Sequence, residues 1–251
     1  MCGTCGCGEH HHHDHDHEHH HHHHDEGKVI TLEQDILQRN NLLAERNRGY
    51  FEAKHIFCLN LMSSPGSGKT TLLEETIRRL NSGAVHGLPS QICVIEGDQQ
   101  TSNDADRIAA LDVPVFQVNT GTGCHLEADM VNHAVKHLNP SDGSLLFVEN
   151  VGNLVCPAEF DTGAHLDAVI LSVPEGDDKP LKYPLVFEKC GLVIINKIDA
   201  LGYFTFDTER CKRNVLSRNP HAAIFPVSAK TGEGMEELTN YIKKIIDKEK
   251  A

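Results

Sequence analysis

The chain has 251 residues, with 36 acidic against 23 basic side chains and a formal net charge of −13. This length suits one α/β domain of about 200 residues plus a tail. The negative balance argues against nucleic acid and anionic lipid as partners, because both attract basic proteins. No apolar run approaches the ~18 residues that cross a bilayer, and no signal peptide opens the chain. We therefore expect a soluble cytoplasmic protein without nucleic-acid or membrane partners.

The nine cysteines favour thiols or metal ligands over disulfides, since no secretory signal accompanies them. Cys58 and Cys93 lie inside apolar runs, which indicates small buried hydrophobic side chains. Cys190 and Cys211 show no partner spacing. The other five cysteines are candidate metal ligands.

The first candidate metal site opens the chain. Cys2, Cys5 and Cys7 lie within six positions, among glycines that let the backbone fold tightly around one ion. Thiolates and a freed amino terminus suit square-planar Ni²⁺, although Zn²⁺ and Cu⁺ are chemically plausible. We predict a nickel site at these three cysteines.

A histidine tract follows, with twelve imidazoles that could hold several nickel ions weakly. These weak-storage candidates are His10, His11, His12, His13, His15, His17, His19, His20, His21, His22, His23 and His24. An affinity tag is the alternative, but Asp14, Asp16 and Glu18 interrupt the run and a cysteine motif precedes it without a linker. Residues 1–27 hold too few apolar groups to offset chain entropy, so we expect a disordered tail in the absence of metal.

Residues 28–54 are expected to form a helical lead-in to the domain. Ile36, Leu37, Leu42 and Leu43 are spaced among charged residues, which is typical of an amphipathic helix. Its expected role is packing.

From residue 55 to 251, short apolar runs alternate with helical patterns. The predicted strands are 56–62, 92–95, 113–118, 145–148, 168–173, 192–195 and 223–227, and the predicted helices are 69–80, 104–111, 126–138 and 235–246. This alternation predicts an α/β domain with a mainly parallel sheet, helices on both faces and ligands at the carboxyl ends of the strands.

A phosphate-binding loop follows the first apolar run. Residues 63–71 read Ser-Ser-Pro-Gly-Ser-Gly-Lys-Thr-Thr between a predicted strand and a predicted helix. Lys69 is placed to neutralise the β- and γ-phosphates, and the Thr70 hydroxyl to ligate Mg²⁺. Ser63 stands where the GxxxxGK[ST] pattern has its first glycine. The nucleotide-binding candidates are Gly66, Ser67, Gly68, Lys69, Thr70 and Thr71.

The identity of the base comes from Asn196-Lys197-Ile-Asp199, at the end of a later apolar run. The Asp199 carboxylate can accept from N1–H and N2–H₂ of guanine, and adenine offers no such donor pair. Lys197 can lie over the base, and Asn196 can brace the loop. The segment Ser228-Ala229-Lys230 resembles the third guanine-contact element of GTPases. These features together predict a P-loop GTPase domain that binds GTP.

Two further carboxylates follow strands. Asp98 ends Glu96-Gly-Asp98, and Glu149 opens Glu149-Asn-Val-Gly152, where small GTPases carry Asp-x-x-Gly. We assign Thr70, Asp98 and Glu149 to the inner or outer sphere of Mg²⁺, and Lys69, Asp98 and Glu149 to catalysis. No arginine or glutamine is clearly placed for catalysis, so we expect slow intrinsic turnover that depends on a partner or on dimerisation.

A second metal site is expected inside the domain. Cys124 and His125 follow a glycine-rich stretch, and Cys156 lies seven residues beyond Glu149. Adjacent Cys and His ligands require an irregular loop or a subunit interface. Because Cys156 shares a loop with the Glu149 carboxylate, nucleotide state could move a metal ligand directly.

The motifs together closely resemble the HypB family of hydrogenase nickel-incorporation GTPases, over essentially the whole chain. The resemblance rests on the tail cysteines, the histidine tract, the phosphate loop, residues 96–101 (Glu-Gly-Asp-Gln-Gln-Thr), residues 149–156 (Glu-Asn-Val-Gly-Asn-Leu-Val-Cys) and Asn-Lys-Ile-Asp. It implies a GTP-dependent homodimer that works with a small HypA-type zinc/nickel protein during assembly of the [NiFe]-hydrogenase, directly or indirectly on its large subunit. It also implies a tight nickel site at the tail cysteines and a weaker zinc or nickel site at Cys124, His125 and Cys156.

Three alternatives differ in what they leave unexplained. Urease-accessory GTPases share the nucleotide domain and can carry histidine-rich N-termini, but the leading Cys-x-x-Cys-x-Cys argues against them. GTPases that serve cobalamin enzymes would not need this tail. A plain nickel buffer would explain the tail and leave the guanine site without a purpose.

Overall fold

The computed structural model describes residues 26–82, 91–98 and 103–249, with side chains from residue 34 onward except 103 and 249. The predicted tail ligands Cys2, Cys5 and Cys7, the histidines between residues 10 and 24, and the predicted tail disorder lie outside these residues. The chain divides into two compact units, Met1–Asp35 and Ile36–Ala251. Of the first unit, the described part is the beginning of a helix.

The second unit is built on a seven-stranded sheet in the order β3-β2-β4-β1-β5-β6-β7, in which every paired neighbour is parallel. The strands are β1 (Phe57–Ser63), β2 (Ile92–Asp98), β3 (Val115–Asn119), β4 (Leu145–Gly152), β5 (Leu166–Ser172), β6 (Leu192–Asn196) and β7 (Ala223–Pro226). Each predicted apolar run overlaps one of these strands. The predicted parallel α/β fold is confirmed.

The described residues contain nine α-helices, none of which is both long and apolar enough to span a bilayer. They are α1 (Glu26–Ala53), α2 (Lys69–Asn81), α3 (Asn103–Ala109), α4 (Ala128–Leu138), α5 (Cys156–Glu159), α6 (Lys179–Lys182), α7 (Pro184–Lys189), α8 (Thr208–Arg218) and α9 (Met235–Glu249). The sequence patterns predict α1 to α4 and α9. They miss α5 to α7, which are too short to show a period, and α8, which buries only Cys211 and Val215.

Apolar side chains cover both faces of the sheet. Along β1, Phe57, Leu59 and Leu61 pack with side chains of α2 and α9, whereas Cys58 points to the opposite face with α1 and α4. The strand is therefore an uninterrupted apolar run, as expected for a parallel sheet with helices on either side.

Four cysteines belong to this core. Cys58, Cys93, Cys190 and Cys211 are fully buried and free. Burial raises the pKa of the Cys190 and Cys211 thiols to about 12. These thiols stay protonated and act as small apolar groups. The full burial of Cys58 and Cys93 confirms the prediction for those two residues.

Helix α1 packs through a different face from the one its apolar residues suggest. Ile36 and Leu42 are 44% and 70% exposed, so neither is part of the core. Among the described side chains of α1, the buried positions are Asn40, Ala44, Asn47 and Phe51, a helical spacing in which two of the four members are polar. The helix packs through amide hydrogen bonds as much as through apolar contact.

The two buried asparagines bond to backbone groups far away in the sequence. Asn40 accepts from Ala128 N at the start of α4 (2.9 Å) and donates to Asp161 O (2.8 Å). Asn47 donates to Ala128 O (2.8 Å) and Thr162 O (3.0 Å). Helix α1 thereby supplies hydrogen-bond partners for backbone groups at the start of α4 and in the loop that follows α5.

We predict that Asn47→Ala lowers the free energy of unfolding by about 2–4 kcal/mol, because two buried carbonyls lose their donor. Urea denaturation followed by circular dichroism measures the change. Asn41→Ala, one position from the buried face and exposed, is the matched control and should stay within about 0.5 kcal/mol of the parent. Equal effects of the two substitutions would contradict this account of the α1 contact.

Candidate nucleotide and metal sites

The phosphate loop joins β1 to α2 and lines a cleft of about 260 Å³ at the carboxyl end of the sheet. Gly68 has a left-handed φ of 89°, which favours glycine, and a Cβ at this position would lie 2.8 Å from Asn196 Nδ2. Both the backbone conformation and the lack of space therefore require glycine here. The cleft is lined by residues 63–71, Glu96, Gly97, Asp98, Asp104, Arg107 and Gly152. The structure thus brings the loop together with one of the two predicted carboxylates, Asp98, along the cleft wall.

Glu149 is the point where the side chains beneath the cleft meet. Lys69 Nζ lies 3.1 Å from Glu149 Oε1, and Thr70 Oγ1 donates to the same oxygen at 2.6 Å. Glu149 is only 1% exposed, and its Oε2 has no hydrogen-bond partner among the described residues. Three residues assigned to catalysis or to Mg²⁺ from the sequence are therefore in direct contact.

Glu96 is a buried carboxyl that the sequence assignment leaves out. The parallel register places Glu96 opposite Glu149, and Glu96 is 2% exposed with an unpartnered Oε2 within the described part of the chain. Burial, and next the charge of Glu149, raises the pKa of Glu96 to about 8. No sequence signal identifies Glu96, because its pairing with Glu149 appears only when the neighbouring strand is known.

These oxygens fit a hard divalent cation. Mg²⁺ prefers carboxylate and hydroxyl oxygens and keeps several waters. The hydroxyl of Thr70 and the unpartnered oxygens of Glu149 and Glu96 supply that donor chemistry, and Asp98 lines the same cleft. The residues present are compatible with the predicted Mg²⁺ site.

Arg107 lies at the phosphate cleft, although the sequence pattern places no arginine clearly for catalysis. It projects from α3 into the lining of the cleft, where its guanidinium donates to Glu74 (3.1 and 3.0 Å) and to Thr71 (3.1 Å). The salt bridge with Glu74, which is 8% exposed, ties α3 to α2. Its place on a short helix that follows a strand end could have indicated this position.

A second pocket of about 310 Å³ adjoins the phosphate loop at Gly68 and Thr71. Ser228 Oγ donates to Asp199 Oδ1 at 2.6 Å and orients that carboxylate, while Asn196 donates to Ser67 O at 3.0 Å. The pocket is lined by Gly68, Thr71, Asn196, Lys197, Asp199, Ala200, Ala229 and Lys230. The predicted base-contact residues therefore meet in one pocket beside the phosphate loop.

The predicted domain metal ligands also meet. Ligand atoms of Cys124, His125 and Cys156 all lie within 4.8 Å of one another, although Cys156 is far from the other two in sequence. Cys124 Sγ lies 3.6 Å from His125 Nδ1. Two thiols and an imidazole suit Zn²⁺ and Ni²⁺.

The cluster combines a neutral imidazole with a protonated thiol, so a metal ion binds in exchange for thiol protons. Burial lowers the pKa of His125, so the imidazole stays neutral and keeps a lone pair for a metal. A hydrogen bond with Cys124, and next burial, raises the pKa of the Cys156 thiol. A metal that binds here displaces thiol protons.

Asn150 connects the Glu149 carboxylate to the metal cluster. It follows Glu149 on β4, is fully buried, and its Oδ1 accepts from Leu126 N at 3.0 Å, directly after His125. The same oxygen accepts from Val151 N at 3.0 Å. A hydrogen bond therefore ties the end of β4 to the loop that carries Cys124 and His125.

A parallel α/β sheet with a phosphate loop beside an Asn-Lys-x-Asp pocket defines a P-loop nucleotide-binding protein of the GTPase class. The nucleotide-binding domain family CobW/HypB/UreG matches residues 57–226. The hydrogenase maturation factor HypB of Escherichia coli K12 is 50% identical over 216 residues, 86% of this chain and 72% of that protein. The hydrogenase/urease maturation factor HypB of Helicobacter hepaticus is 41% identical, over 86% of this chain and 88% of its own.

Solved structures agree. HypB from Helicobacter pylori in complex with nickel matches with a TM-score of 0.75 and 39% identity, over 84% of this chain and 96% of that one. HypB from Archaeoglobus fulgidus also matches with a TM-score of 0.75, at 35% identity, over 83% and 99%. The chain belongs to the HypB family of hydrogenase maturation factors, and it is a P-loop GTPase. The resemblance found in the sequence is confirmed.

We predict that Glu96→Gln flattens the pH dependence of stability when nucleotide and Mg²⁺ are absent. Between the ordinary pKa of 4.5 and the folded value of about 8, the unfolded chain loses this proton and the folded chain keeps it. Stability therefore falls as pH rises through that window. The free energy of unfolding of Glu96→Gln, relative to that of the parent protein, should increase by about 1–3 kcal/mol between about pH 5.5 and 7.5.

Urea denaturation of both proteins at several pH values measures this difference. Glu237→Gln, an exposed position on α9, is the matched control and should show no growth of the difference with pH. A constant difference for Glu96→Gln across the window would show that the Glu96 proton does not stabilise the fold.

Proposed function

We propose that this chain is a GTP-hydrolysing nickel metallochaperone, which binds and stores nickel and delivers it for [NiFe]-hydrogenase maturation. In this proposal, GTP state controls metal transfer and dimerisation. The observation that carries it is the contact from Asn150, beside Glu149, to the backbone that follows His125. The residue next to the proposed Mg²⁺ carboxylate is thus hydrogen-bonded to the loop that carries two of the proposed metal ligands.

On the nucleotide side, Lys69 holds the β- and γ-phosphates, while Asp199 accepts from guanine with Ser228 as its orienting donor. Thr70, Asp98 and Glu149 hold Mg²⁺, which when bound neutralises phosphate charge. Contacts from Asn196 and Lys197 to the phosphate loop support this assignment, because they place base and phosphate subsites side by side. Intrinsic turnover is slow, since Arg107 is engaged with Glu74 and Thr71.

On the metal side, Cys2, Cys5 and Cys7 form the tight nickel site and the histidine tract holds further nickel weakly. Cys124, His125 and Cys156 form the weaker site for Zn²⁺ or Ni²⁺. Two observations support the second assignment: the three ligand atoms converge within 4.8 Å, and a similar protein from Helicobacter pylori was solved in complex with nickel.

The active assembly is proposed to be a homodimer in the cytoplasm, working with a HypA-type zinc/nickel protein and, directly or indirectly, with the hydrogenase large subunit. An exposed apolar patch directly after Asp199 supports dimer formation through a second copy: Tyr203 is 86% exposed, and Phe204 and Leu201 are 47% and 36% exposed. Because this patch continues the base-binding segment, a bound guanine nucleotide can influence it.

We predict that Lys69→Ala lowers GTP turnover by about 10³-fold or more, since the phosphate charge loses its counter-charge, while tight nickel binding persists. Cys5→Ala should have the reverse effect. Phosphate release measures turnover, nickel competition against a chelator measures affinity, and mass measured in the same samples reports dimer formation.

Lys244→Ala, an exposed lysine on α9, is the charge-matched control and should change neither activity. If Lys69→Ala and Cys5→Ala weakened nickel binding equally, the proposal of two separate sites would be wrong.

We predict that GTP-loaded and GDP-loaded protein differ about 5-fold or more in metal affinity at Cys124, His125 and Cys156. The measurement uses full-length protein in which the three tail cysteines are alanine. The remaining four cysteines are buried, so thiolate-to-metal charge-transfer absorbance reports on this cluster alone.

In that background Asn150→Ala should remove most of the nucleotide dependence, because Leu126 N loses its acceptor. Asn240→Ala, on the exposed face of α9, is the control. Equal affinity of the GTP and GDP forms before any Asn150 change would refute control of the metal site by nucleotide.

A further inference from the structure

Helix α4 carries two histidines that the proposed nucleotide and nickel chemistry does not use. His133 and His137 are four residues apart, so they lie one turn apart on the same face of the helix. Both are exposed. Their ring centroids are 4.3 Å apart, with an angle of 55° between the rings.

The hydrogen bonding of His137 leaves a metal-binding nitrogen available. His137 Nδ1 lies 2.9 Å from the backbone oxygen of His133. A carbonyl oxygen only accepts, so Nδ1 carries the proton and donates, and Nε2 keeps its lone pair. Histidines that ligate metals commonly donate their other ring N–H to a backbone carbonyl in this way.

A third ring holds the pair in place. Phe116, on the edge strand β3, stacks on His137 at 4.9 Å between centroids and meets His133 edge-on at 6.0 Å. Rings restrained in this way lose little further rotamer freedom when they bind an ion. The open groove beside them also includes Asp129, one helical turn before His133.

We propose that His133 and His137 form a surface site for a late first-row divalent cation, with Ni²⁺ and Zn²⁺ as the fitting ions. Imidazole nitrogens bind such ions at about 2.0–2.1 Å, so a shared ion requires the two nitrogens to lie within about 4.2 Å of each other. Rings with centroids 4.3 Å apart already lie close to this range, so a small rotation within the stacked arrangement is sufficient.

This site is separate from the Cys124, His125 and Cys156 cluster, whose ligands lie before α4 and at the start of α5. It has no thiolate, and two protein ligands leave coordination positions open for water or for Asp129 on the same face. The bound ion therefore exchanges more readily than one held by two thiolates and an imidazole. The observations that support this site do not rely on GTP binding or on a role in hydrogenase maturation.

The test is histidine footprinting of the full-length protein with diethyl pyrocarbonate, which acylates imidazole nitrogens that hold a free lone pair. A nitrilotriacetate buffer sets the free Ni²⁺ concentration, and peptide mass spectrometry gives the modification rate at each histidine. At a free Ni²⁺ concentration about ten times the dissociation constant, both His133 and His137 should react about tenfold more slowly. The exposed His221 is the internal reference and should be unchanged.

His133→Gln should abolish the protection of His137, and His137→Gln that of His133, because one imidazole alone holds the ion weakly. Lys136→Gln, between them on α4, should preserve protection, and Mg²⁺ should give none. Unchanged rates with Ni²⁺ would show that the rings only stack. Protection of one ring that survives loss of the other would likewise overturn the two-ligand site.

Discussion

The nucleotide site depends on the contacts that Lys69 and Thr70 make with the buried carboxylate of Glu149. One of its oxygens receives both Lys69 and Thr70, and the parallel register of β2 and β4 sets Glu96 beside it. Two neighbouring buried carboxylates are costly unless a proton or a cation lies near them. Positive charge near these carboxylates therefore stabilises the cleft before any phosphate enters, and Lys69 supplies part of that charge.

Much of the fold could be predicted from the sequence because its signals are local. A parallel strand buried on both faces is a continuous apolar run, and a glycine loop between strand and helix is recognisable from adjacent residues alone. The edge on which Asp98 and Glu149 lie follows from parallel topology, since the carboxyl ends of the strands share that edge. The sequence suggests Cys124 and Cys156 as ligands of one site, but only the folded chain shows that their sulfur atoms lie close together.

What the sequence did not predict depends on partners that are distant along the chain. The packing of α1 through Asn40 and Asn47 requires acceptors more than 80 residues away, so an apolar period could not reveal it. Arg107 faces the cleft because its salt bridge with Glu74 orients α3. Glu96 was overlooked since a carboxyl inside a strand becomes informative only when the neighbouring strand is known.

The base pocket and the phosphate loop are joined by side-chain to backbone bonds. Asn196 donates to Ser67 O, and Lys197, held at a left-handed φ of 63°, donates to Gly66 O at 2.5 Å. Separating the base pocket from the phosphate loop would therefore break both hydrogen bonds, at a cost of about 1 kcal/mol each, so a movement of one subsite is felt at the other.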